Sequence, residues 1–285
     1  MIKSILVPGL NAVADPKALE LALKVARLFA GHIDCLHIHP DAGELARYST
    51  SLDIESGVFS SQIWESLVAG DKICAAHSRK IFDAFYAREN LGTAGAVTAA
   101  WHEVEGNARD QTVEEAYYND LVVFGRPPKP DDLTTNGVGD VLVGSGRPIL
   151  LAPSDACAHS ILNVAIGWKN TATSARAVSA ALPLLAKAEK IHVLHIVEDR
   201  DQDGRASAER LAEYLRRHGL KPQVGILDTG ERSSCDTLLE AAERKLHAGL
   251  LVMGAYGHSR AREFIFGGFT RTVLHGAPLP VLLSH

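Results

Sequence analysis

The sequence predicts two tandem α/β domains, each a five-stranded parallel sheet flanked by helices. Three observations carry this. The chain repeats itself at about one domain's length, short apolar runs alternate with helix-period stretches, and 285 residues at 46% hydrophobic content suffice for two cores. In the repeat, SILVP at 4–8 corresponds to NVAIG at 163–167, and HIDCLHIH at 32–39 to KIHVLHIV at 190–197. DLVVFG at 120–125 then corresponds to GLLVMG at 249–254, and DVLVGSGRPILL at 140–151 to TVLHGAPLPVLL at 272–283. The boundary is placed near residue 156, giving domains 1–155 and 156–285.

Residues 3–8 read as the first strand. A helix over 16–30 follows, with Ala18, Leu21, Ala22, Val25 and Leu28 at helical spacing. Asp15 is its expected cap, Pro16 its first residue and Gly31 its stop. The second copy repeats this arrangement with a strand at 164–168 and a helix at 173–186. A charged helix at 204–219 has one apolar stripe through Leu211 and Leu215. Strands at 97–101 and 224–227, 121–124 and 250–253, and 149–151 and 281–283 complete five per copy. Strands buried on both faces are expected to be continuously apolar. The final strand pair, exposed at an edge, is expected to join the halves into an intramolecular pseudo-dimer and leaves a further homodimer open. The first copy carries extra sequence at about 41–75, read as a lid, a packing insertion or a partner contact.

A formal charge of -5 and pI near 6.2 lack the basic excess of a nucleic-acid binder. The opening apolar run is too short for a signal segment or a membrane span. Four cysteines without a CxxC pair suit a reducing cytoplasm and neither a disulfide framework nor a zinc knuckle. None of the 13 histidines forms an HxxxH or HExxH pair, although a strand would point His37 and His39 the same way. No metal site is therefore expected. No acid/base pair or Gly-x-Ser-x-Gly elbow stands out, so neither catalytic residues nor turnover are expected. His37 and His195, at equivalent strand positions, read as structural, and the 143–146 segment reads as a helix stop.

After the second copy's fourth strand comes MGAYGHSRAREFIFGGFT at 253–270. Glycines leaving a strand and opening a helix suit backbone capture of phosphate, at the sheet end where open α/β folds bind ligands. They also suit a tight turn with no ligand. Gly254-x2-Gly257-x9-Gly267 resembles the Gly-x2-Gly-x9-Gly-(Ser/Thr) motif of ATP-binding universal stress proteins, and with the repeat it makes the chain similar to their tandem members. The resemblance implies Rossmann-like domains of the adenine nucleotide alpha hydrolase-like class and a cytoplasmic stress-response binding or signalling module. The implied ligand is ATP or another adenine nucleotide, with Mg²⁺ only as its companion. The implied site comprises Gly167, Trp168, Lys169, Ile196, Met253, Gly254, Gly257, Gly267, Gly268, Phe269 and Thr270.

This sequence departs from the pattern in several places. Gly268 stands where the family has Ser or Thr. Leu10 and Lys169 stand where it places an adenine-contacting Asp, and Lys169 cannot accept the adenine amino hydrogen bond. Arg260, Arg262 and Arg271 are secondary phosphate candidates. In the first copy Gly125-Arg-Pro-Pro replaces the glycine turn, and proline supplies no N–H, so that copy is expected to have lost phosphate binding. Two alternatives remain open, a slow ATP hydrolase and a nucleotide-free scaffold that meets a protein partner through its insertion.

Overall fold

The structure is a computed structural model describing residues 1–9, 16–41, 57–92, 97–126, 132–153, 157–197, 204–255 and 268–285. These residues form two compact units, Met1–Gly125 and Arg126–His285. Compactness and sequence repetition divide the chain differently, because the repeat tracks which elements are copies and compactness tracks which elements pack together.

The first unit holds β1 (Ser4–Gly9), α1 (Pro16–Phe29), β2 (His32–His39), α2 (Gly57–Arg88), β3 (Thr98–Glu105), α3 (Ala108–Ala116) and β4 (Leu121–Phe124). Its sheet is parallel, in the order β3-β2-β1-β4. α1 buries Leu19, Leu21, Ala22, Val25 and Phe29, the stripe read from its spacing. Its expected cap, Asp15, lies outside the described residues. Its stop differs from the expected glycine. Ala30 takes the left-handed turn at φ 50, and Gly31 N–H bonds Ala26 O at 3.0 Å, closing a Schellman motif one residue early. Gly31 serves close packing instead, since a Cβ there would lie 3.3 Å from Lys3 O. Within the segment at 41–75, residues from Gly57 onward belong to α2, whose 32 residues extend well past it. The stretch at 108–116, unassigned from sequence, is a helix capped by the Asn107 side chain, which accepts from Arg109 N and Asp110 N.

The second unit holds α4 (Asp132–Gly144), β5 (Ile149–Leu151), β6 (Asn163–Gly167), α5 (Ala172–Leu185), β7 (Lys190–Ile196), α6 (Gly204–Arg217), β8 (Pro222–Leu227), α7 (Ser234–Glu240), β9 (Leu250–Gly254), α8 (Gly268–Gly276) and β10 (Val281–Ser284). Its sheet runs β5-β10-β9-β6-β7-β8, parallel except where β5 meets β10 antiparallel, with Leu150 opposite Leu282. The two final strands of the repeat thus pair with each other. α4 ends at Gly144, and Gly146 follows at φ 64, the stop expected there. Continuous apolarity holds at β4, β5 and β9, whereas β2 carries His32, Asp34, His37 and His39 and β7 carries Lys190, His192 and His195; β4, β5 and β10 are buried throughout. It fails at β3 (TAAWHEVE), which is partly exposed along its length because it borders its sheet. Among the described residues no helix is long and apolar enough to cross a membrane.

Burial sorts the cysteines. It pushes the Cys35 thiol up to about 12 and the Cys235 thiol up to about 11, with Asp34 and Asp236 adding to the shift. Cys74 and Cys157 are partly exposed. Titration of the native chain with a disulfide reagent at mildly alkaline pH should therefore modify Cys74 and Cys157 rapidly, with Cys35 and Cys235 reacting only after unfolding. Rapid modification of all four would contradict this packing.

His192 on β7 is buried, and burial, followed by the nearby Lys190 charge, lowers its pKa. Protons then bind the unfolded chain first. The contribution is intact above the unfolded value of about 6.5 and is lost as pH falls from there toward the lower folded value. Urea unfolding over that window should show a decline that His192→Gln flattens; an unchanged slope in the variant would assign the acid sensitivity elsewhere.

Candidate functional site

In the second unit the strand order reverses beside β6. Its crossovers lead to β7 and β8 on one side, with β9 and β10 on the other. A parallel sheet offers its ligand crevice at the carboxyl ends of the strands at such a point. Gly167 ends β6 in register with Met253 of β9 and Leu194 of β7, so Gly167, Trp168, Lys169, Ile196, Met253 and Gly254 gather at one sheet end. α5 begins at the same end, because it leaves β6 through a short loop. Its cap is Thr171, whose Oγ1 accepts from Ser174 N at 3.2 Å.

The side chains at this end are held firmly. The Trp168 indole N–H donates to Ser207 Oγ of α6 at 2.8 Å, and its backbone N–H donates to Leu194 O. His195 is buried and bonds Trp168 O through Nδ1 at 3.2 Å. Lys169 is exposed. Phe269, in the first turn of α8, offers its carbonyl to the Cys235 thiol at 3.8 Å. Gly268 and Thr270 contribute backbone to that turn. Gly257, Gly267, Leu10, Arg260 and Arg262 lie outside the described residues, and Arg271 sits exposed on α8.

Gly254 has a packing reason to be glycine. A Cβ there would lie 2.5 Å from Ser174 N and 2.6 Å from Thr173 C, inside the first turn of α5. The reason is close packing of β9 on α5, distinct from a turn conformation. At Gly167 a Cβ would fall 2.7 Å from Leu238 Cδ2, the end of a side chain rather than backbone, so the constraint there is weaker. The first turn of α5 and Lys169 suit a phosphate-bearing ligand more than an adenine ring, since lysine supplies donors and no acceptor.

The corresponding turn of the first copy has a different use. Arg126, which follows Gly125 where the second copy has Ala255, is buried in the second unit and donates to Ala152 O at 2.6 Å, Leu274 O at 2.8 Å and Val273 O. Burial lowers its pKa to about 10, so it stays charged at neutral pH. The residue that interrupts the glycine pattern thus caps the last carbonyls of α8.

A second constellation lies in the first unit. His37 and His39, two apart on β2, both turn toward Asp71 of α2. His37 Nε2 lies 3.0 Å from Asp71 Oδ1 and His39 Nδ1 2.6 Å from Oδ2. His39 Nε2 reaches Glu103 Oε2 at 3.3 Å, and Trp101 Nε1 donates to Glu103 Oε1 at 2.7 Å. The hydrogen bond that Asp71 accepts chiefly raises the His39 pKa, while the hydrogen bonds that Glu103 accepts from Trp101 and His39 lower its own. Sequence spacing marked the histidine pair but not Asp71, which lies one long crossover away in the insertion.

Comparison with known proteins bears on the second half most directly. The profile of the universal stress protein family matches residues 161–285. None of the curated proteins compared with the chain matches it. Among solved structures, a universal stress protein from Archaeoglobus fulgidus DSM 4304 is similar at 17% identity and TM-score 0.65, covering 99% of this chain and 95% of that one. A functionally unknown protein from Pseudomonas aeruginosa PAO1 is similar at 16% identity and TM-score 0.58, covering 99% and 92%. The cytoplasmic domain of a prokaryotic cation chloride cotransporter is similar at 12% identity and TM-score 0.51, covering 99% and 95%. At these identities the likeness is one of fold, which serves proteins of different duties. The chain carries, at residues 161–285, a domain of the universal stress protein family.

Proposed function

We propose that the chain is a stress-response binding module of the cytoplasm, with one ligand site, in its second copy, for a phosphate-bearing ligand of the adenine nucleotide class. The observation that carries the reading is the meeting of Gly167–Lys169, Met253 and the first turn of α5 at the point where the strand order reverses, within the family-matched residues. When bound, Mg²⁺-ATP would bring its own cation, and Lys169 would supply charge to the phosphates. The role is one of binding without turnover.

Native mass spectrometry of the purified chain, with Mg-ATP and separately with inorganic tripolyphosphate, tests the proposal. One ATP per chain, lost in Gly257→Ala with an unchanged melting temperature, supports the nucleotide site. Tripolyphosphate bound as well as ATP removes the adenine specificity. Bare protein at millimolar ATP overturns the reading and favours a scaffold, while steady phosphate release from ATP overturns its non-catalytic character.

A further inference from the structure

We propose that His37, His39 and Asp71 form a binding site for a divalent transition-metal cation of the zinc type in the first unit, separate from the ligand site of the second copy. The donor set is two imidazoles and a carboxylate, the combination that suits zinc and its neighbours. Its three ligand atoms, one per residue, lie within 4.8 Å of one another. They converge because β2 points alternate residues to one face and α2 crosses that face with Asp71.

Burial favours the same reading. The His37 side chain is 5% exposed and that of Asp71 14%, whereas His39 is 32% exposed and leaves a path for an ion and for water. The rings of His37 and His39 sit edge to face at 4.8 Å, and His37 stacks on Trp101 at 6.2 Å, so both rings are fixed by packing. Binding replaces the two ring protons now directed at Asp71, and each moves to the other nitrogen of its ring or to solvent. For His39 that nitrogen faces Glu103, whose carboxylate is steadied by the Trp101 indole. A ligating histidine backed by a carboxylate is the usual supporting arrangement at zinc centres. His37 Nδ1 is buried without a hydrogen-bond partner, so its ring lacks that support. The missing support sets an affinity in the micromolar rather than the nanomolar range, and three protein ligands leave a coordination position for water.

The test uses the full chain, freed of metal with a chelator and titrated with Co²⁺ and then with Zn²⁺ against a chromophoric chelator. The expected result is one ion per chain, with visible d–d bands of a low-coordinate cobalt ion and no thiolate charge-transfer band. Asp71→Asn and His39→Gln should each weaken zinc about 100-fold or more, and Glu103→Gln about 10-fold. His102→Gln, in the neighbouring strand beside Asp34, should leave the affinity unchanged. Asp71→Asn preserves size and an acceptor oxygen, and circular dichroism of each metal-free variant checks its fold. Absence of binding to the wild-type chain at micromolar zinc overturns the proposal without any variant. Binding that survives both ligand substitutions, or a thiolate band, overturns it equally. None of these outcomes depends on the nucleotide site.

Discussion

Arg126→Met is expected to lower the free energy of unfolding by about 3 kcal/mol, because it leaves buried carbonyls without a charged donor. The guanidinium spends its hydrogen bonds on Ala152 O, Leu274 O and Val273 O, and the latter two lie in the last turn of α8. Helix carbonyls in that turn have no partner within the helix, and a cation there also meets the negative end of the helix dipole. Methionine fills much of the volume and supplies no donor, so the loss reports polar satisfaction rather than a cavity. Lysine carries the charge but not the planar fork, and Arg126→Lys should recover less than half of the loss. Urea unfolding of the three proteins decides the matter, and an Arg126→Met variant within about 0.5 kcal/mol of wild type would show that water satisfies those carbonyls.

A comparably large effect is expected at Gly254. In Gly254→Ala the new methyl would fall 2.5 Å from Ser174 N and 2.6 Å from Thr173 C. Those atoms are helix backbone and cannot swing aside as a side chain would, so α5 must shift away from β9. Overpacking of this kind costs about 1–3 kcal/mol. Thermal melting should show the drop whether or not any ligand is added. Loss of nucleotide binding in this variant would therefore say little about direct contact. A Gly254→Ala chain that melts like wild type would return that glycine to the ligand.

The contrast between these two positions shows where the sequence was readable. The strand that the glycine pattern follows, β9, is where the repeat placed it. Yet the reason for Gly254 is a close approach between elements far apart in the chain, and no local pattern encodes such an approach. Arg126 could be read only as an interruption, since two of its three partners lie about 150 residues later in α8. The strands were legible because burial on both faces demands unbroken apolar runs, as in LVVF of β4 and LLVMG of β9. Where one border of a sheet is partly exposed, as at β3, that demand relaxes and the strand extends to Glu105, beyond the expected 101. His37 and His39 illustrate the limit most clearly. Alternation along β2 sets them on one face, but Asp71 comes from an insertion whose helical course its composition did not announce.

The antiparallel pairing of β5 with β10 makes a concentration-independent event of what would be a second-order one in a single-repeat chain. Both partners are on one polypeptide, so dilution does not separate them, and the tether sets their effective concentration. A fragment beginning at residue 161 has lost β5 and presents the open border of β10. Two such fragments can satisfy each other through a twofold axis, Val281–Ser284 against its own copy. Sedimentation of that fragment should then show a monomer–dimer equilibrium that varies with protein concentration. In the intact chain the same strand has a permanent internal partner, and its pairing should show no such dependence.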